Sequence, residues 1–149
     1  MNRYITCSLL LLFLVVSVVQ AQPEISNRDG LVFLNGDTLA EGATLQEGAT
    51  LNSRFGDTSH IDIMLSEGRK IRLQNAKAHL KSLRNQVKIT LEMGKLFYAS
   101  DSGVQDNLTV NTQNAIAGVR GTKFYLQAKE KQTYVCVCEG TVSAYKPGF

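Results

Sequence analysis

Two cysteines one residue apart, two histidines and a clustered set of cations are the side chains here whose chemistry goes beyond packing. Cys136 and Cys138 lie in Thr133-Tyr134-Val135-Cys136-Val137-Cys138, an alternating run that reads as a strand. On a strand both thiols project to one face, with Cα atoms about 6.6 Å apart. That is near the upper limit for a disulfide, and parallel side chains give it poor geometry, so a bond between them would be strained and easily reduced. Three readings stay open: two small buried apolar residues beside Tyr134, a labile or intermolecular disulfide, and metal binding. The last is the weakest, because no His or acid flanks the pair. His60 and His79 are expected on outward faces of strands. No G-x-S-x-G elbow, His-Glu-x-x-His helix or phosphate-binding loop is present, so the reading is of a non-enzymatic chain with no cofactor and no metal.

Charge is unevenly distributed. From Gln22 to Gly68 there are eight acids and two bases, and from Arg69 to Lys95 eight bases against Glu92 alone. Alternation places Lys70, Arg72, Lys77, Lys81 and Lys88 on the solvent side of consecutive strands. Such a face suits anionic glycan, lipid headgroups or an acidic protein. It also fits a solvated sheet face partly neutralised by neighbours such as Asp62. The net charge of +3 and the lack of stacking aromatics on that face argue against nucleic acid.

The elements that hold these residues are short strands. Leu31-Val32-Phe33-Leu34 precedes Asn35-Gly36, a type I′ turn signal. A tandem repeat follows, Leu39-Ala40-Glu41-Gly42-Ala43-Thr44 and Leu45-Gln46-Glu47-Gly48-Ala49-Thr50. Two copies are too few for a solenoid, and they read as edge segments that each tuck one Leu inward. The clearest hairpin runs from Ser59 to Gln74, with the loop Ser66-Glu67-Gly68 placing Gly68 where a left-handed residue is needed. That register sets Ile63 opposite Ile71 and Ile61 opposite Leu73, with Asp62 facing Arg72 on the other side. Further strands are expected at 78–83, 87–93, 96–99, 108–110, 123–128, 133–138 and 141–145. Asn114-Ala115-Ile116-Ala117-Gly118 allows a short helical turn without a cap. The expected core is Ile61, Ile63, Leu65, Ile71, Leu73, Val87, Ile89, Leu91, Phe124 and Leu126. The fold class is all-β, a compact sandwich or short solenoid-like stack of about ten short strands preceded by a signal-peptide helix.

Export is read from the first residues. Arg3 supplies a charge, Ile5 to Val19 carry none, and Val19-Gln20-Ala21 suits signal peptidase, so cleavage is expected after Ala21. The apolar run falls short of the roughly 17-residue minimum for a membrane span. Cys7 stands at the start of that run, not after it, which disfavours a lipid anchor. The expected organisation is a signal peptide over 1–21, a short N-terminal segment over 22–30 and an all-β domain over 31–149. The mature chain is expected to be periplasmic or secreted.

From Leu108 the residues form a recognisable series: Leu108-Thr109-Val110-Asn111-Thr112, then Gly118-Val119-Arg120-Gly121-Thr122-Lys123-Phe124, then Glu139-Gly140-Thr141-Val142. This resembles the FecR family of extracytoplasmic signalling domains, with its V-x-T segment, G-V-R-G-T-x-F and E-G-x-V strand. The glycines at 42 and 48 and the hairpin around Glu67-Gly68 are similar to that family's earlier part. The resemblance implies a domain that senses signals or binds proteins in the cell envelope. With an export signal from residue 1, no cytoplasmic sigma-regulating part is expected. The signature reads as mainly structural: Gly118 and Gly121 permit a bulge, Thr122 bonds backbone and Phe124 anchors the core. Arg120 either bridges strand carbonyls or a buried carboxylate, or faces a ligand anion. The partners expected are an envelope protein or, alternatively, an anionic envelope polysaccharide held by the basic face.

Overall fold

Alternation runs as β-structure through the described residues of the computed structural model, which are 22–40, 43–65, 68–83, 86–101 and 108–148. Within the strands the side chains of 54–57 and 121–122 fall outside that description, and so does the segment 1–21 expected to be a signal peptide. The strands are β1 (Glu24–Leu34), β2 (Asp37–Thr38), β3 (Thr50–Met64), β4 (Lys70–Ser82), β5 (Val87–Ala99), β6 (Leu108–Asn111), β7 (Ile116–Ala128) and β8 (Thr133–Tyr145). They form one sheet in the order β2-β1-β3-β4-β5-β6-β7-β8, antiparallel except for β5 beside β6. A direct β5–β7 pairing closes beyond the end of β6. No helix occurs among the described residues. In place of the expected helical turn at 114–118, Asn114 and Ala115 close the connection between β6 and β7, which begins at Ile116. β1 begins at Glu24 and pairs with β3, so residues 24–30 belong to the sheet rather than to a separate leading segment.

The short runs expected from sequence join into longer strands, because the breaks between them are bulges. Ile71–Gln74 continues into 78–82 through Asn75, at φ 46°. The runs in β5 meet at Gly94, at φ 101°, and those in β8 at Gly140, at φ 93°. A bulge adds one residue, and the buried positions shift parity at each one. They pass from Ile71 and Leu73 to Ala76, Ala78 and Leu80 in β4. In β5 they pass from Ile89 and Leu91 to Leu96 and Tyr98. In β7 they pass from Ala117 and Val119 to Phe124, Leu126 and Ala128. Register shifts at Asp29/Leu31 in β1 and Asn52/His60 in β3 continue the line of Asn75 and Gly94 as one bend. The shift at Arg120/Lys123 in β7, facing Gly140 of β8, lies at the other end of the β5–β7 pairing, beside Ala99, as a second bend. Gly94 is required at the first bend twice over: its φ is left-handed, and a Cβ would overlap the backbone of Asn75 and Ala76.

The hairpin register is as expected, with Ile63↔Ile71, Ile61↔Leu73 and Asp62↔Arg72. Gly68 takes φ 70°, and Asn35-Gly36 takes φ 54° and 97°, as a type I′ turn requires. Apolar ladders continue across the sheet as Ile63–Ile71–Tyr98–Phe124–Val137 and Ile61–Leu73–Leu96–Leu126–Val135. All ten expected core residues are buried, and Leu39 and Leu45 of the tandem repeat do tuck inward.

Candidate interaction face

The face opposite the core is built by the same registers. Its central row reads Asp62–Arg72–Phe97–Tyr125–Cys136, one residue from each of β3, β4, β5, β7 and β8. To one side runs Met64–Lys70–Ala99–Lys123–Glu139, and to the other His60–Gln74–Lys95–Gln127–Tyr134. The result is an aromatic strip bordered by cations. Phe97 and Tyr125 have ring centroids 4.8 Å apart, and Tyr125 and Tyr134 6.0 Å apart, within the range for favourable aromatic contact. Burial, and then the neighbouring Tyr134, push the Tyr125 hydroxyl above its ordinary pKa, so it stays a neutral donor and acceptor. Beside the strip a depression of about 290 Å³ is lined by Lys70, Arg72, Gln74, Phe97, Tyr98 and Ala99.

At the end of that row Asp62 is buried and doubly held. Arg72 donates from Nε and Nη2 to its two oxygens at 2.6 and 2.7 Å, and Lys70 Nζ lies 3.1 Å away. Burial disfavours the charge, but the hydrogen bonds from Arg72 and Lys70 outweigh it and keep the carboxyl below its usual range. Asp62 in turn raises the Arg72 guanidinium. Both cations therefore already carry a counter-ion.

The other three expected cations lie past the bend. Lys77 Nζ is 2.8 Å from Glu92, whose other oxygen is 2.5 Å from His79 Nε2. Lys77 and then His79 hold the Glu92 carboxyl below its usual range. His79 stands on the outward face as expected, between buried Ala78 and Leu80, and there it also meets Thr50 Oγ1 through Nδ1 at 2.8 Å, which leaves it half-buried. His60 is half-buried too, with Nδ1 3.1 Å from the Thr58 carbonyl and Nε2 buried without a partner among the described residues. Lys81 and Lys88 are exposed. The five cations thus divide about the bend, and three of them are ion-paired, with Lys70 and Arg72 sharing the single charge of Asp62. No group of three or more His, Cys, Asp or Glu suited to a metal ion occurs among the described residues.

Cys136 and Cys138 are exposed free thiols. The reading of buried small residues is corrected, because β8 is the last strand of the sheet and its outward positions face solvent. Phe97, Tyr125, Tyr134 and Lys95 were not singled out from sequence. A usable signal was present, since each stands out of phase with the apolar period of its own strand.

A protein-family model described as "FecR protein" matches residues 47–143, roughly two thirds of the chain. The chain belongs to the FecR family. No curated protein and no solved structure matches it. The family is one of periplasmic sensing and signalling modules, and the structure shows where its signature falls. In this FecR domain Gly118–Phe124 and Glu139-Gly140 lie across β7 and β8 from one another at the second bend. Lys123 and Glu139 pair there at 3.6 Å, and Phe124 is buried just beyond. Gly121 and Thr122 lie in the β7 backbone, with side chains outside the described set. Arg120 sits opposite Thr141, exposed, with no side-chain hydrogen bond or ion pair to a described residue. Among the described residues no helix is long and apolar enough to cross a membrane.

Proposed function

We propose that this FecR domain is an exported, non-enzymatic module that recognises a protein of the cell envelope through the Phe97–Tyr125–Tyr134 strip. The observation that carries this is the strip itself: three aromatics on the solvent side of a rigid sheet, with Phe97 37% and Tyr134 55% exposed. Aromatic and arginine side chains concentrate at the energetic centres of protein interfaces, and a surface that only had to be soluble would not gather them. The family's periplasmic setting and the charge-free run from Ile5 to Val19 support export, with cleavage before Gln22.

An anionic polysaccharide held by Lys70, Arg72, Lys77, Lys81 and Lys88 is the competing reading. It is less favoured, because Asp62 and Glu92 already occupy three of those cations. The two separate cleanly. The chain beginning at Gln22, immobilised, should retain protein from an envelope extract, and Phe97→Ser should abolish retention while lowering the unfolding midpoint only modestly and leaving the domain folded. Retention that survives digestion of the extract with protease, but falls on changing Lys70, Arg72 and Lys77 together to Gln, would replace the protein-partner reading with the polysaccharide one.

A further inference from the structure

A sheet has two edges, and here they differ. At β1 the free backbone groups are taken up by the chain's own next segment. β2 pairs with Phe33 and Leu34, the Leu39 N–H donates to Val32 O at 2.9 Å, and Glu24 bridges Thr44. Arg28 Nη1 donates to Leu39 O at 2.9 Å and clamps that segment down. At β8 no described residue pairs with the strand on its outer side.

The β8 edge is open in the core as well as in the ladder. Val135, Val137 and Val142 sit on the core side, opposite Leu126, Phe124 and Val119. Those three partners are buried, yet Val137 is 41% exposed and Val135 and Val142 are only half-buried. One more strand would wall in this row. Edge strands are ordinarily guarded by charges, prolines or twist. Thr133–Cys138 has no charge, no proline and no glycine, and the one acid in β8, Glu139, is paired with Lys123. The guard is confined to the bulge at Gly140.

Charge selects the occupant. Exposed Lys129 and Lys131 precede β8 and exposed Lys146 follows it, with Glu130 the single acid among them. Two copies pairing antiparallel through β8 would bring the lysines before one strand against the lysine after the other. Like charge at both ends disfavours that arrangement. We propose that β8 accepts, by strand addition, an extended segment of another envelope protein, with apolar residues at alternate positions beside Val135 and Val137 and acidic residues at its ends. This rests on the protein-recognition reading above and gives the partner's docking segment its chemistry.

The test uses a dye-labelled peptide, Asp-Asp-Thr-Val-Thr-Val-Thr-Val-Asp-Asp, titrated into the chain beginning at Gln22 and followed by anisotropy and amide exchange. Binding is expected, with exchange slowed over 133–138 and unchanged over 24–34. Backbone N-methylation at alternate residues should weaken binding at least tenfold in one of the two frames and little in the other, because only alternate N–H groups face the ladder. A Lys-ended twin should bind at least tenfold more weakly at low salt, the gap closing at about 1 M salt where the Debye length is near 3 Å. No binding, equal effects in both frames, or protection away from β8 would overturn the proposal. So would concentration-dependent self-association that itself protects 133–138, since that makes a second copy the occupant. Phe97→Ser is expected to leave peptide binding intact, so loss of envelope capture with the peptide still bound counts against the aromatic strip and not against the edge.

Discussion

Ile63 and Val137 stand in one cross-sheet ladder, four registers apart, and meet opposite surroundings. Near the β1 edge Ile63 is wholly buried, paired with Ile25 of β1, and the chain's own Thr44 bridges the neighbouring Glu24 on the outer side of that strand. At the other end Val137 faces the same core and stays 41% exposed. The residue types and the period are alike, so the difference lies in what packs alongside. After β1 the chain turns back at Asn35-Gly36 and covers the edge; at β8 no described residue pairs with the outer side of the strand. The contrast shows that a strand's burial is decided by its neighbours and only proposed by its own alternation.

The largest expected effect sharpens that contrast directly. Ile63→Ala should cost roughly 2–5 kcal/mol in urea unfolding, as full burial demands, whereas Val137→Ala should cost about 1 kcal/mol or less. Equal costs would mean that β8 is covered in solution and the two edges do not differ.

The ion pair beside the covered edge comes next. Arg72→Gln leaves the buried Asp62 carboxylate with Lys70 alone and should cost about 1–2 kcal/mol near neutral pH, moderated because Arg72 is 43% exposed. Asp62 has its pKa lowered by folding. Its contribution is therefore complete above its ordinary value of 3.8 and disappears as pH falls through the lower folded value. The parent should accordingly lose stability in that acid window, and Asp62→Asn should lose less. An Asp62→Asn variant with the same acid dependence as the parent would remove this pair from the account.

A smaller change should make one edge resemble the other. Arg28→Ala deletes the hydrogen bond to the Leu39 carbonyl at a cost of about 1 kcal/mol. Amide exchange at Val32 to Leu34 should speed up, with β8 unaffected. The smallest effect is chemical: Cys136 and Cys138 should react with a maleimide in the native state without altering the unfolding midpoint, since both thiols are exposed. Reaction only on unfolding would show that β8 is shielded.

How much of this was legible in sequence varies by residue. The Ser59–Gln74 hairpin was readable to the residue, because its loop length and its Ile and Leu alternation both specify one register. The Asp62–Arg72 pair followed from that register. The site was less legible. Lys70, Arg72, Lys77, Lys81 and Lys88 look like one face only while β4 is taken as unbroken, and the bulge at Asn75 divides them. The Phe97–Tyr125–Tyr134 strip joins strands far apart in sequence, and no local pattern states which strands will be neighbours.

The sequence by itself determined the all-β class, the inward set from Ile61 to Leu126 and the family signature around Gly118–Phe124. Side-chain period and turn chemistry are local properties written in consecutive residues. Tertiary structure alone decided that the breaks at Asn75 and Gly94 would be bulges on a common bend and that at Gly140 part of another, that Glu92 would take up Lys77 and His79, and that Cys136 and Cys138 would face solvent. Each of these depends on which strand lies alongside, and strand order is fixed only when the whole sheet closes over its core.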